Sequence, residues 1–465
     1  MNIRKPKLWE ALVPVLSMTI IIVIAILFWG LEPHIPIVLA CIIASFMALR
    51  VGCTWEDILN AILESNFRAL EALFIVMAVG MLIGSWMLAG VVPAMVYYGL
   101  QVITPSIFLA TGAVLCAIVS VASGSSWTSS GTVGIALMGI AAGLGINPAL
   151  AAGMVISGAY FGDKLSPLSD STNVAAATAE TPLYDHVASM LWTTLPSFIL
   201  ALIIYTIIGI GYGSQGYDLS RITLIQDTLS SLFNISPILL LPPIFVIVAA
   251  VLRIPALPSL LGVSFIGGLW AMIFQGASIG NVLESFHYGY FAETGVEIVD
   301  KLVNRGGLDS MMWTISLIMF ALAFGGILEK ARFTEVLIEP IIPKIKSVAS
   351  LVAVTILTGI ICDFVLTDQY IAIIIPGRIY APLYDEMGLE RNFLSRTLED
   401  GGTLWSPMFP WNGCGAYQAA TLGVPTFSYF PYAFFNLINP IVSIIMAYLG
   451  IGVLYKDKGE VKEAA

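Results

Sequence analysis

Two aspartates, a lysine and a run of hydroxyl residues surround one proline in GDKLSPLSDSTNVAAA, Gly162 to Ala177, directly after a long apolar stretch. A charge at bilayer depth costs several kcal/mol unless it faces a cavity or a partner, so Asp163 and Asp170 are candidate ion-site residues. Pro167 removes a backbone donor, and the Ser, Asp, Thr and Asn side chains offer the backbone non-helical hydrogen bonds, so an interrupted helix is predicted. The carbonyls and amides freed at such a break bind ions. A second polar segment, EDGGTLWSPMFPWNGCG from Glu399 to Gly415, reads as another break. SVASGSSWTSSG (Ser120 to Gly131) and CDFVLTDQY (Cys362 to Tyr370) read as tips of re-entrant hairpins, because Gly and hydroxyl residues permit a tight turn satisfied within protein.

The chemistry open to such segments is cation binding. A sodium ion takes hard oxygen ligands, and hydroxyls, amide carbonyls, backbone carbonyls and a carboxylate supply them. A desolvated carboxylate takes up a proton when its cation leaves, which gives Na+ for H+ exchange without a second site. The proton candidates are Asp163, Asp170, Asp363, Asp368 and Asp400. Blander readings stand beside them: Asp163 and Lys164 as a loop pair at a helix end, Asp170 and Asp368 as helix caps, and Glu399 and Asp400 as a loop or helix end, with one of these two still open as a proton group. Asp185 and His186, after Pro182, read as a loop.

The elements that position these residues follow from composition. Of 465 residues, 58% are hydrophobic and 11% charged, and the mean hydropathy is +0.92, which excludes an ordinary soluble surface. The fold class is an all-α polytopic membrane protein with ten to thirteen membrane-embedded segments. One apolar run is read over 92–123. The stretch Thr54 to Arg68, with Trp55, Ile58, Leu59, Ile62 and Leu63 at helical spacing, is predicted to lie at the interface. Five scattered cysteines imply neither a disulfide framework nor a zinc site. A net charge of −10 without a basic patch excludes nucleic acid as a partner. Arg4, Lys5 and Lys7, Arg50 and Arg68, and Lys456, Lys458 and Lys462 put both termini on the cytoplasmic side of the cell membrane.

The chain also repeats itself. Ala78 to Leu82 matches Ala323 to Ile327, Ser166-Pro167 matches Ser406-Pro407, and Asn173, Pro182 and Pro196 find Asn412, Pro425 and Pro440, all at offsets of 239 to 245. The expected organisation is N-terminal helices over 1–67, a first repeat over 68–210, a connecting region over 211–310, a second repeat over 311–452 and a tail over 453–465. Lys330, Arg332, Lys344, Lys346, Arg378, Arg391 and Arg396 occupy loops whose first-copy equivalents carry no Lys or Arg, so the copies are read as inverted.

Taken together, GSSWTSSGTVGIALMG, GAYFGDKLSPLSDSTNVAAA, LTDQYIAIIIPGR, RTLEDGGTLWSPMFPWNGCGA and LGVPTFSYFPYAFFNLINPI resemble the NhaC-type Na+/H+ antiporter family over roughly Ala69 to Gly450. The resemblance implies a homodimeric secondary carrier with two re-entrant hairpins per protomer and sodium coupling. It implies no bound cofactor, only Na+ and H+ as transported ions. It carries site roles onto Ser125, Ser126 and Thr128; Asp163, Ser166, Asp170, Thr172 and Asn173; Asp368 and Gln369; and Ser406, Asn412 and Cys414. Sodium is expected at Ser125, Ser126, Asp170 and Asn173. The family also includes carriers exchanging malate for sodium-lactate and members linked to amino acids. MFPWNGCGAYQ after the second Ser-Pro pair is more aromatic than the hydroxyl-rich tail expected there. A sodium-coupled carrier of small carboxylates or amino acids is therefore the alternative, with helix N-termini, Lys164 or Arg378 as its carboxylate partner. A passive channel fits interrupted helices and duplication less well. No metal triad, nucleophile-base pair or phosphate loop points to an enzyme.

Overall fold

The structure, a computed structural model, describes residues 4–214 and 219–456. Lys458, Lys462 and most of the 453–465 tail lie outside the described residues. Helices α1 (Leu8–Trp29), α2 (His34–Arg50) and α3 (Trp55–Arg68) open the chain. They lead into α4 (Leu70–Leu88), α5 (Val91–Val102), α6 (Pro105–Ser123), α7 (Ser126–Ser129), α8 (Ile135–Gly143), α9 (Pro148–Leu165), α10 (Asp170–Thr178) and α11 (Leu183–Ser214). A middle group follows: α12 (Leu219–Leu232), α13 (Leu241–Val251), α14 (Ala256–Gln275), α15 (Ile279–Tyr288) and α16 (Glu297–Val303). The last group is α17 (Met312–Lys330), α18 (Phe333–Ile338), α19 (Val348–Leu366), α20 (Gln369–Glu386), α21 (Arg391–Leu398), α22 (Gly413–Leu422), α23 (Thr426–Tyr429) and α24 (Phe434–Leu449).

Seven helices among the described residues are long and apolar enough to cross a membrane, or nine if two bent pairs each count as one span. Helices α2 and α5 are apolar but shorter. Hydropathy counted the pieces of broken helices separately, which is why it gave more segments than full-length spans. The run read over 92–123 divides into α5 and α6 at Ile103 and Thr104, where Pro105 starts the new helix at its first turn. Asp185 and His186 lie in α11, not in a loop, and His186 is buried with Nδ1 2.7 Å from Ser395 Oγ. Helix α3 starts from a Thr54 capping box with Asp57 and buries Ile58, Ala61 and Ser65. Trp55, Leu59, Leu63 and Phe67 point outward. A Cβ on Gly326 of α17 would stand 2.6 Å from the Ala61 carbonyl, so α3 is packed tightly on a membrane-length helix.

Small residues set the tightest packing. On α9, a Cβ at Gly158 would meet the Ala113 carbonyl of α6 at 2.2 Å, and one at Gly162 the Ala117 carbonyl at 2.4 Å. This four-residue spacing lets two backbones touch, as small residues do between membrane helices. It holds the end of α9, which carries Asp163, against the end of α6. The order of the last group echoes the earlier one: α19, α20 and α22 begin 243 positions after α6, α7 and α10.

Candidate functional site

Four helix starts meet at one cavity of about 110 Å³. Its walls come from Gly124–Trp127 and Ser169–Ser171 in the first half, and Thr367–Tyr370 and Asn412–Cys414 in the second. Each second-half residue stands 243 positions after a first-half one, so Ser125 faces the site as Asp368 does, Ser126 as Gln369, Trp127 as Tyr370 and Ser169 as Asn412.

Local chemistry explains the turns. Helix α6 ends at Gly124 with φ +67°, and α19 ends at Thr367 with φ +63°. The first position must stay small as well as left-handed, because a Cβ on Gly124 would lie 2.7 Å from the Leu168 backbone. That contact ties the first hairpin tip to the first helix break. Helices α7, α20 and α22 are capped by their own cavity residues: Ser125 accepts from Thr128 N at 3.2 Å, Asp368 from Ile371 N at 2.9 Å and Asn412 from Cys414 N at 3.0 Å. Helix α9 stops at Leu165, Ser166 to Ser169 form the break, and α10 restarts at Asp170, with Ser169 rather than Asp170 in the cap position. Both Asp163 and Lys164 are inside the last turn of α9 and buried, so they are not a loop pair.

The cavity brings together Ser125, Ser126, Asp163, Asp170, Asp368, Gln369, Asn412 and Cys414. Ser126 Oγ donates to Asp163 Oδ2 at 2.7 Å, and Asp170 sits at the exposed edge. The other candidate residues lie behind the wall or in the break. Ser406 Oγ donates to Gln369 Oε1 at 3.1 Å from behind, and Ser166 Oγ donates to the Val121 carbonyl at 2.9 Å. Thr172 Oγ1 donates back to the Asp163 carbonyl at 3.3 Å. Thr128 is buried in α7. Of the four residues expected around sodium, Asn173 does not line the cavity. Its Nδ2 donates to the Pro167 and Ser169 carbonyls at 3.2 and 2.7 Å, which fastens the break. Asp363 is buried on α19, with Oδ1 accepting from Asn412 Nδ2 at 3.2 Å and Oδ2 without a partner among the described residues.

Neither basic residue considered as a carboxylate partner faces the cavity. Arg378 is exposed on α20. Lys164, next to Asp163 on α9, points the other way and pairs with the buried Asp400. Lys164 Nζ also donates to Asn439 Oδ1 at 3.0 Å, and Thr193 Oγ1 donates to Asp400 Oδ1 at 3.1 Å. Thr193, Asn439 and the burial of Glu399 were not read from sequence. The available signal was Thr193 and Ser197, four apart within an apolar run, which puts two hydroxyls on one helix face. Across the two halves, the Trp127 and Tyr417 rings stack at 4.3 Å with 7° between planes, and Tyr417 Oη donates to the Trp127 carbonyl at 2.8 Å.

A profile of the Na+/H+ antiporter family matches residues 158–451 of this chain. The chain is 40% identical to the Na(+)/H(+) antiporter NhaC of Alkalihalophilus pseudofirmus, covering 94% of both chains. It is 36% identical to the malate-2H(+)/Na(+)-lactate antiporter of Bacillus subtilis, over 99% of this chain and 98% of that one. It is also 36% identical to the arginine/ornithine antiporter ArcD of Halobacterium salinarum, over 99% of this chain and 96% of the other.

Proposed function

This chain belongs to the Na+/H+ antiporter family, and from that premise we propose that it is a secondary transporter exchanging Na+ for H+ at the cavity between the two helix breaks. The observation that carries this reading is the charge of the walls. Asp163, Asp170 and Asp368 line the cavity, while among the described residues no Lys, Arg or His does. A partly desolvated group of carboxylates attracts a cation and repels an organic anion. Sodium is held by the Asp163 carboxylate with Ser125, Ser126 and Asp170, all hard oxygen donors. Alternating access moves the cavity from one face of the membrane to the other. Apart from the transfer of protons, transport makes and breaks no covalent bond, and it needs no bound cofactor.

The constant offset of 243 around the cavity supports the division into repeats over 68–210 and 311–452, flanked by 1–67, 211–310 and 453–465. The loop charges support their inversion, with both termini cytoplasmic in the cell membrane. By likeness to its family the working unit is a homodimer.

A coupled organic substrate is the second reading. Helices α7, α10, α20 and α22 all begin at the cavity, and helix starts carry partial positive charge that suits a carboxylate. Related proteins are named for malate and lactate or for arginine and ornithine exchange. The deciding experiment uses proteoliposomes with an internal pH dye. Sodium added outside, with no organic solute present, is expected to make the lumen alkaline. A flat pH trace together with sodium-dependent uptake of labelled malate, lactate or an amino acid would establish the second reading instead.

A further inference from the structure

Glu399 is fully buried, and among the described residues neither of its carboxylate oxygens has a hydrogen-bond partner. It opens a π-helical turn, Glu399–Thr403, between α21 and the second break. Such turns are uncommon and recur at functional sites. An ionised carboxylate without a donor in a dry interior costs several kcal/mol, whereas the neutral acid costs far less.

Among the described residues none forms a salt bridge with it, and Lys164 acts on it only through space. Lys164 is engaged by Asp400 and Asn439. Arg396 on α21 donates from Nη1 and Nη2 to the Ser189 and Gly452 carbonyls. Asp163 on α9 acts on Glu399 as a like charge. The Thr403 hydroxyl of the same turn stands beside it, and α10, α19, α20 and α24 also pack on the turn. Ser171 stands beside Glu399 and also lines the cation cavity.

Resting on the Na+/H+ reading above, we propose that Glu399 carries the exchanged proton, in a buried site separated from the cation cavity by Ser171. Neighbouring positions on α9 supply the coupling, because Asp163 faces the cation while Lys164 faces Asp400. Sodium arriving at Asp163 cancels the like charge felt by Glu399. The Glu399 O–H bond then breaks, its proton passes by way of Ser171 to water in the cavity, and the carboxylate left behind is balanced by Lys164. When sodium leaves, the charge of Asp163 returns and Glu399 takes a proton back. One positive charge arrives as one departs.

The test uses full-length protein in proteoliposomes with Glu399→Gln and Glu399→Asp. In Glu399→Gln, sodium-driven proton movement should fall roughly a hundredfold, the scale of a lost proton-transfer group. Exchange of labelled for unlabelled sodium should continue. Glu399→Asp should restore proton movement with a displaced pH profile. Infrared difference spectra of wild-type protein on adding sodium should show loss of a protonated-carboxyl band that is shifted in Glu399→Asp and missing in Glu399→Gln. Wild-type proton movement and pH profile in Glu399→Gln would overturn the proposal. If that variant does not fold, an unshifted band in Glu399→Asp would overturn it. Wild-type vesicles that move no protons when sodium is added would remove the exchange reading and this proposal together, so the control tells the two failures apart.

Discussion

Ser126 donates to Asp163 at 2.7 Å across the cavity wall, and the same contact recurs 243 positions later with the roles exchanged, Ser406 donating to Gln369 at 3.1 Å. In the first half the hairpin gives the hydroxyl and the broken helix the acceptor; in the second the hairpin gives the acceptor. Two matching frames thus hold one carboxylate and one neutral amide, which concentrates negative charge on one side of the site.

Asp163→Asn removes that charge at nearly constant volume, so sodium-dependent transport should fall sharply while expression and monodispersity hold. Ser126→Ala removes a hydrogen bond to a charged group, worth about 1.5–3 kcal/mol, and should raise the sodium concentration for half-maximal transport by roughly ten- to a hundredfold. Ser406→Ala touches a neutral pair and should shift it by about tenfold or less. Equal effects of the two serine variants would contradict the asymmetry.

The positions of the breaks were legible because proline and clustered hydroxyls declare where a helix cannot continue. Their pairing was less so. The Ser166 and Ser406 motifs align in sequence, yet the cavity pairs Ser169 with Asn412 and Asp163 with Ser406, about one helical turn away. Proline marks where the chain turns, not which side chain faces the ion. Lys164 was visible but its direction was not, since neighbouring positions on a helix point about 100° apart. Its partner Asp400 is 236 residues away, a distance that no local pattern spans.

Inversion of the two repeats has a direct consequence for labelling. Cysteines at Pro148, exposed at the start of α9, and at Glu386, exposed at the end of α20, flank loops of unequal charge. An impermeant thiol reagent should reach them from opposite sides of the membrane, in a background lacking the partly exposed Cys41. Labelling of both from one side would mean parallel copies.

The C-terminal segment is fastened to the end of α20 by charge. Burial works against ionisation of Asp385, but Lys456 and Arg391, at 2.8 and 2.5 Å, outweigh it and hold its carboxyl below the usual range. A group lowered in the folded state stabilises it above its unfolded value and loses that contribution as pH falls through the folded one. Protease sensitivity near Lys456 should therefore rise only in acid. Asp385→Asn should show the acid pattern already at neutral pH, and a variant as resistant as wild type would remove the pair from the account.

The pairing of Lys164 with Asp400 joins α9 to the π-helical turn at full burial, where removing one partner leaves the other charge stranded. Single losses of this kind cost about 3–5 kcal/mol, whereas replacing both partners is often far milder. Lys164→Met and Asp400→Asn should each lower the unfolding temperature in detergent, and the double variant should recover much of the loss. The double variant should lose at least about 1 kcal/mol less than the two single losses added together, as for residues in direct contact. Recovery of stability need not restore transport, because the double variant also deletes the positive charge that balances an ionised Glu399. A double variant that is stable yet exchanges sodium for protons normally would show that the pair only supports the fold. One that is stable and exchanges sodium for sodium alone would place the pair in the proton half of the cycle.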